Sequence, residues 1–147
     1  MQRIPIPVHI ADKDILPTYA TCEASGADLR AWIVEPISIQ SGASAIIPTG
    51  IRCDIPKGYE IQIRPRSGFA AKNQVTVLNT PGTIDSDYRG EIAVILINHG
   101  KDSFLVTPKM RIAQMVLSPV VQAEFFMVDR LSETERGEGK FGQTGAH

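Results

Sequence analysis

The chain has only two cysteines, Cys22 and Cys53, and no Cys-x-x-Cys spacing. That excludes a zinc ribbon and a dithiol redox motif. A reduced, cytosolic chain is the simplest reading, with room for one disulfide at most. Histidine is nearly as scarce, and His9, His99 and His147 lie too far apart in sequence to suggest metal-ligand spacing. Any metal is therefore expected as a hard cation carried by phosphates rather than as zinc. A strong excess of either charge is missing too. Lys+Arg number 15 and Asp+Glu 16, for a net charge of −1, so no basic field exists to hold nucleic acid or an anionic membrane. An anionic ligand must be gripped by individually placed arginines. No stretch approaches the roughly 20 apolar residues of a membrane span. The opening Met1-Gln-Arg-Ile-Pro-Ile-Pro7 lacks the long apolar core of a signal peptide. Sustained 3.6-residue periodicity and internal repeats are absent as well.

What remains is short, punctuated and β-like. A length of 147 residues suits one domain with a real core. Ten prolines from Pro5 to Pro119 cut the chain into pieces. Between them the runs 44–47, 51–55, 59–63, 75–78, 92–97, 104–106 and 112–117 are apolar or alternating. Within 59–64, Tyr59, Ile61 and Ile63 face one way, and Glu60, Gln62 and Arg64 the other, as in a half-buried strand. The spacing predicts an all-β sandwich or barrel, with one short helix over 68–74. Residues 1–131 read as the β domain. From Ser132 the chain is polar and glycine-rich, with Phe141 its only large apolar residue, so 132–147 reads as a flexible arm. Its Gly137-x-Gly139-x-x-Gly142 matches the dinucleotide pattern only in letters, since no strand feeds it and no helix follows. Such a segment can still wrap amides around phosphate, with Phe141 stacked on a base.

Polar residues cluster most densely in Asn79-Thr-Pro-Gly-Thr-Ile-Asp-Ser-Asp-Tyr-Arg-Gly90. Asp85 and Asp87 would share a face if the backbone were extended. Asp and Gly are also ordinary turn formers, so this stretch alone decides nothing. Arg64-Pro-Arg-Ser-Gly68 sets two guanidinium forks and a hydroxyl around a proline, a donor set suited to phosphate or to surface ion pairs. In Arg111-Ile-Ala-Gln-Met115 the alternation predicts Ile112 and Gln114 on one strand face. Asp28 stands where the turn Ala24-Ser-Gly-Ala enters a strand.

Taken in order, five segments resemble the motifs of the trimeric dUTPase family. They are Ser25-Gly-Ala-Asp-Leu29, Arg64-Pro-Arg-Ser-Gly-Phe-Ala70, Gly82-Thr-Ile-Asp-Ser-Asp-Tyr-Arg-Gly90, Arg111-Ile-Ala-Gln-Met115 and Arg136-Gly-Glu-Gly-Lys-Phe-Gly-Gln-Thr-Gly145. The resemblance implies a jelly-roll-like β domain of the β-clip, dUTPase-like type. It implies a homotrimer with active sites at subunit interfaces. The implied reaction is hydrolysis of dUTP to dUMP and pyrophosphate with Mg²⁺, which removes dUTP and supplies dUMP for thymidylate synthesis. By the same resemblance, Asp85 orients the attacking water and holds the 3′-hydroxyl, and Tyr88 lies under the deoxyribose. Asn79 and the hairpin 78–84, through Gly82, Thr83 and Ile84, read the uracil edge. Arg66, Ser67, Gly68 and Gln114 contact the phosphates, and Asp28 holds the water shell of Mg²⁺. Arg136, Phe141, Gly142 and Thr144 close over the nucleotide.

Two positions depart from the family pattern. Lys140 stands where a glycine is usual, adding charge but losing backbone freedom, and Gln143 stands where Ser is common. One rival of similar fold is dCTP deaminase, which needs a catalytic glutamate in the strand after Gly90. That run, Ile92-Ala-Val-Ile-Leu-Ile97, carries no carboxylate, though Glu91 lies at its edge. The other rival is a non-enzymatic trimeric β module. The polar residues retained in all five motifs argue against lost catalysis.

Overall fold

The structure is a computed structural model describing residues 1–146. Alternating residues build its strands. In β1 (Val8–Ile10), β2 (Thr18–Tyr19), β3 (Ala27–Arg30), β4 (Ile37–Ile39), β5 (Ser44–Cys53) and β6 (Tyr59–Arg64), apolar side chains turn inward at every second position of the longer strands. The helix α1 (Ser67–Asn73) follows, then β7 (Val75–Val77), β8 (Gly82–Ile84), β9 (Ile92–Asn98), β10 (Phe104–Val106) and β11 (Arg111–Pro119). They form three antiparallel sheets, ordered β1-β5-β9-β7, β10-β4 and β2-β3-β11-β6-β8. Ile47, Ile51, Val94 and Leu96 from the first, Ile39 and Val106 from the second, and Leu29, Ile61, Ile63 and Ala113 from the third share one apolar core. The sheets make a sandwich, not a closed barrel, in line with the all-β expectation. The polar face of β6 forms a ladder, in which Gln62 donates to Glu60 (2.6 Å) and Arg64 donates to Gln62 (2.8 Å).

Two departures from the sequence reading matter for the site. The runs 44–47 and 51–55 are not separate strands; β5 continues through Pro48. The break expected there is a bulge, where pairing to β9 shifts between Pro48 and Ile51. Gly50 sits in it at φ +69°, a backbone region that disfavours other residues. A Cβ there would also lie 2.7 Å from Ile15 Cδ1. The second departure is in β11, where a bulge between Arg111 and Ala113 buries both Ile112 and Ala113. Gln114 then faces away from Ala113 and Met115, so the expected pairing of Ile112 and Gln114 on one face fails.

Asn98, fully buried, ties the sheets together. Its Nδ2 donates to the carbonyls of Ile39 (2.9 Å) and Asp102 (2.8 Å), and its Oδ1 accepts the Gly100 N–H (2.9 Å). Asn98→Ala leaves three buried or part-buried backbone groups without partners. We expect a loss of about 3 kcal/mol, seen as a lower urea midpoint with unchanged slope.

Cys22 is exposed and Cys53 buried, both as free thiols, and burial pushes the Cys53 thiol up. No described helix is long and apolar enough to cross a membrane. Beyond β11, residues 120–146 form no strand or helix.

Candidate active site

The strand order β3-β11-β6 gathers motifs that are far apart in sequence. Gln114 pairs with Asp28 on one side and Arg64 on the other. The Asp28 carboxylate keeps only 15% of its exposure and sits between two guanidinium groups. Its Oδ2 accepts from Arg111 (3.2 Å), and its Oδ1 lies 3.8 Å from Arg66 Nε. Arg66 also donates to the Arg111 carbonyl (3.1 Å) and stacks over Phe69, 5.3 Å from the ring centroid. Phe69 in turn packs edge-on against Phe104, with ring centroids 5.0 Å apart. Arg66 is thus anchored and aimed. Gln114 donates to the Pro65 carbonyl (3.1 Å), and a Cβ on Gly26 would fall on its Oε1, so a larger residue there would displace the Gln114 amide. Ser67 and Gly68 follow Arg66 in the exposed first turn of α1. Two cations face one anion, so the cluster keeps a net positive charge for an anionic ligand.

A second polar group lies on β8 and the loop after it. A cleft of about 260 Å³ is lined by Thr83, Ile84, Asp85, Tyr88, Glu91 and the outer faces of β5 and β9. That is near the lower end of small-molecule pockets, roughly 300–1,000 Å³. Asp85 and Asp87 do not share an extended face as expected. The Tyr88 N–H donates to the Asp85 carbonyl (3.1 Å), so the chain turns between them. Asp85 faces the cleft, whereas Asp87 is not among its lining residues. Arg89 leads away as well, donating to Asp54 (2.7 Å) and to the Ser86 carbonyl (2.7 Å). Gly82 is buried against Ile63, and Asn79 is exposed beside it.

The single chain does not unite these groups. β8 runs antiparallel to β6, with Gly82 opposite Ile63 and Ile84 opposite Ile61. Asp85 follows Ile84 toward the Glu60 end of β6, four residues or about 13 Å at strand rise from Arg64, with Arg66 beyond the strand's far end. Arg136, Phe141, Gly142 and Thr144 lie in a segment whose hydrogen bonds are all internal among the described residues, such as Arg136 Nε to the Gly139 carbonyl (3.1 Å). Phe141 is fully exposed.

Among the described residues, no group of three or more His, Cys, Asp or Glu could cage a metal. Asp28, with both oxygens turned to arginines, suits an outer-shell role rather than direct ligation. Arg111 and Gly26 also belong to the cluster, and sequence alone gives them no role: their only signal is their place inside the motifs, since a bare Arg or Gly does not announce its contacts.

A model of the dUTPase family matches residues 12–145. The chain belongs to the dUTPase family. Curated family members named deoxyuridine 5′-triphosphate nucleotidohydrolase include one from Chlamydia pneumoniae, 64% identical over 132 residues, covering 89% of this chain and 91% of its own. Another from Bdellovibrio bacteriovorus is 55% identical over 130 residues, covering 88% and 87%. Among solved dUTPase structures, that of Staphylococcus bacteriophage 80alpha with dUPNHPP superposes at TM-score 0.86 with 24% identity, covering 96% of this chain and 98% of that one. A phage phi11 dUTPase variant, described with a coordinated structural Mg(II) ion, reaches TM-score 0.77 at 18% identity, covering 86% and 98%. These two similarities establish the dUTPase fold, and the sequence matches place this chain in the family.

Proposed function

We propose that this chain is a dUTP diphosphatase, hydrolysing dUTP to dUMP and pyrophosphate and so supplying dUMP for thymidylate synthesis. The observation carrying the proposal is the pair of half-sites on a family-matched scaffold: a carboxylate-and-tyrosine cleft, and an anchored arginine cluster. Asp85 orients a water in line with the α-phosphorus. The phosphorus–oxygen bond to the β-phosphate breaks, and pyrophosphate leaves. Arg66, Ser67, Gly68 and Gln114 neutralise and position the phosphate oxygens. Asp28 would hold the water shell of a Mg²⁺ ion bound to the triphosphate, and that ion would supply further charge neutralisation. Asn79 and the backbone of Gly82, Thr83 and Ile84 read the uracil edge. A thymine methyl meets the hairpin wall, and cytosine leaves buried polar groups unpaired. Tyr88 lies beneath the deoxyribose and crowds out a 2′-hydroxyl.

The placing of Asp85 and Arg66 at opposite ends of β6 supports sites completed between copies, as a homotrimer allows. So does the apolar strap beyond β11. Val121, Phe125, Phe126, Met127 and Leu131 stand almost wholly in solvent in the single chain, a pattern that calls for a covering surface. The free thiols fit a cytoplasmic setting. The C-terminal arm 132–147, of which residue 147 is outside the described residues, closes over the bound nucleotide from the β domain 1–131.

Glu91, the residue a deaminase would need, has its carboxylate taken by the Gly50 N–H (2.8 Å), which favours the hydrolase. A pyrophosphate-release assay on the purified oligomer tests the proposal. We expect turnover of dUTP, little of dCTP, dTTP or UTP, and loss of turnover on chelation of Mg²⁺. Ammonia from dCTP, or no product from dUTP, would overturn it.

A further inference from the structure

The bulge in β5 grips the loop that carries Tyr88. Thr49 Oγ1, buried, donates to the Ile92 carbonyl (2.5 Å), and the next residue, Gly50, donates its N–H to the Glu91 carboxylate (2.8 Å). The bulge itself is pinned from both sides. The Ala11 N–H bonds the Gly50 carbonyl (3.0 Å), and the Trp32 N–H bonds the Pro48 carbonyl (2.8 Å). On the loop side, Tyr88 Oη donates to the Glu91 main-chain carbonyl (2.9 Å). The tyrosine ring folds back over Gly90, where any Cβ would fall on its hydroxyl. Glu91 therefore couples two fixtures: its side chain holds the bulge, and its backbone holds the ring. Tyr88 and Glu91 both line the cleft.

We propose that Glu91 is a positioning residue that sets the height of the Tyr88 ring, and through it the rejection of a 2′-hydroxyl. This rests on the reading of Tyr88 as the deoxyribose platform. A hydroxyl is excluded or admitted by shifts of a few tenths of an ångström, because packing contacts rise steeply at short range. A ring hung on an exposed loop does not keep that tolerance alone. A charge-assisted hydrogen bond to a pinned strand supplies the stiffness. The carboxylate acts here as an acceptor, with no proton transfer, so Gln in its place keeps an oxygen for Gly50.

The test is the ratio of kcat/KM for dUTP to that for UTP in the wild type, E91A and E91Q. We expect E91A to lower the ratio about tenfold, mainly by admitting UTP, the size expected for one lost hydrogen bond to a charged group. E91Q should stay within about threefold of the wild type. Should E91A fail to fold, E91D serves instead, because its shorter side chain cannot reach Gly50. A wild-type ratio retained in E91A or E91D overturns the proposal, as does a loss in E91Q equal to that in E91A. A wild type that turns over dUTP while the variants keep its ratio removes the positioning role alone. A wild type inactive on dUTP removes the reading of the site, and this proposal with it.

Discussion

Asp85→Asn is expected to lower turnover of dUTP by about 10²-fold or more while leaving nucleotide binding near the wild-type level. Asn keeps the size and an acceptor oxygen but cannot take a proton and orients water less strongly, and losses of this order follow removal of a general base. The structure makes the experiment clean. Asp85 is exposed at the end of β8, at the cleft, and its main-chain carbonyl rather than its carboxylate holds the Tyr88 N–H. The substitution therefore leaves the loop and core intact, and unfolding midpoints should match. Steady-state pyrophosphate release measures kcat. Calorimetric titration with a non-hydrolysable dUTP analogue measures binding. Near-normal turnover would take Asp85 out of the mechanism. A parallel loss of binding would make it a ligand-holding group first.

The sequence shows β6 clearly, because Tyr59, Ile61 and Ile63 alternate without interruption and meet the core as the period predicts. It shows the helix within one residue, 68–74 against Ser67–Asn73. Gln74 is the cap of that helix, in the left-handed region, and so lies just outside it. Proline and glycine usually end strands, so the sequence reads 44–47 and 51–55 as separate runs, whereas Pro48 and Gly50 lie in a bulge within one continuous strand. Nothing local in Pro-Thr-Gly distinguishes a bulge from a loop; the partners that decide it, Ala11, Trp32 and Glu91, come from three distant segments. The same limit explains the site. The order of motifs led to Asp28, Arg66 and Gln114, and pairing across β3-β11-β6 brings them together. The ion pair between Arg111 and Asp28 spans 83 residues of sequence, and no periodicity encodes it. A shared face for Asp85 and Asp87 requires extended backbone, and a single turn hydrogen bond replaces it.

Deleting residues 136–147 is expected to leave a folded protein that has lost most of its activity, at least about tenfold in kcat/KM for dUTP, in line with the loss of a closing lid. The last core residues lie in β11, Met115 and Leu117, and residues 132–138 and 140–146 contribute no side chain to the core. Far-UV circular dichroism and the unfolding midpoint should therefore be unchanged. What the deletion removes is chemical. Arg136 and Lys140 supply positive charge, Phe141 supplies a fully exposed ring, and Gly137 and Gly142, at φ +51° and +73°, supply a backbone that can curl amides around phosphate. An exposed phenylalanine costs solubility unless something covers it, and a nucleobase is a flat apolar surface of suitable size. Phe141→Ala alone should then raise KM more than it lowers kcat, since stacking holds the base but does not touch the reacting phosphorus. If the truncated chain unfolds, the arm is structural. If it folds and keeps wild-type kcat/KM, the site closes without it, and Arg136, Phe141, Gly142 and Thr144 leave the mechanism together.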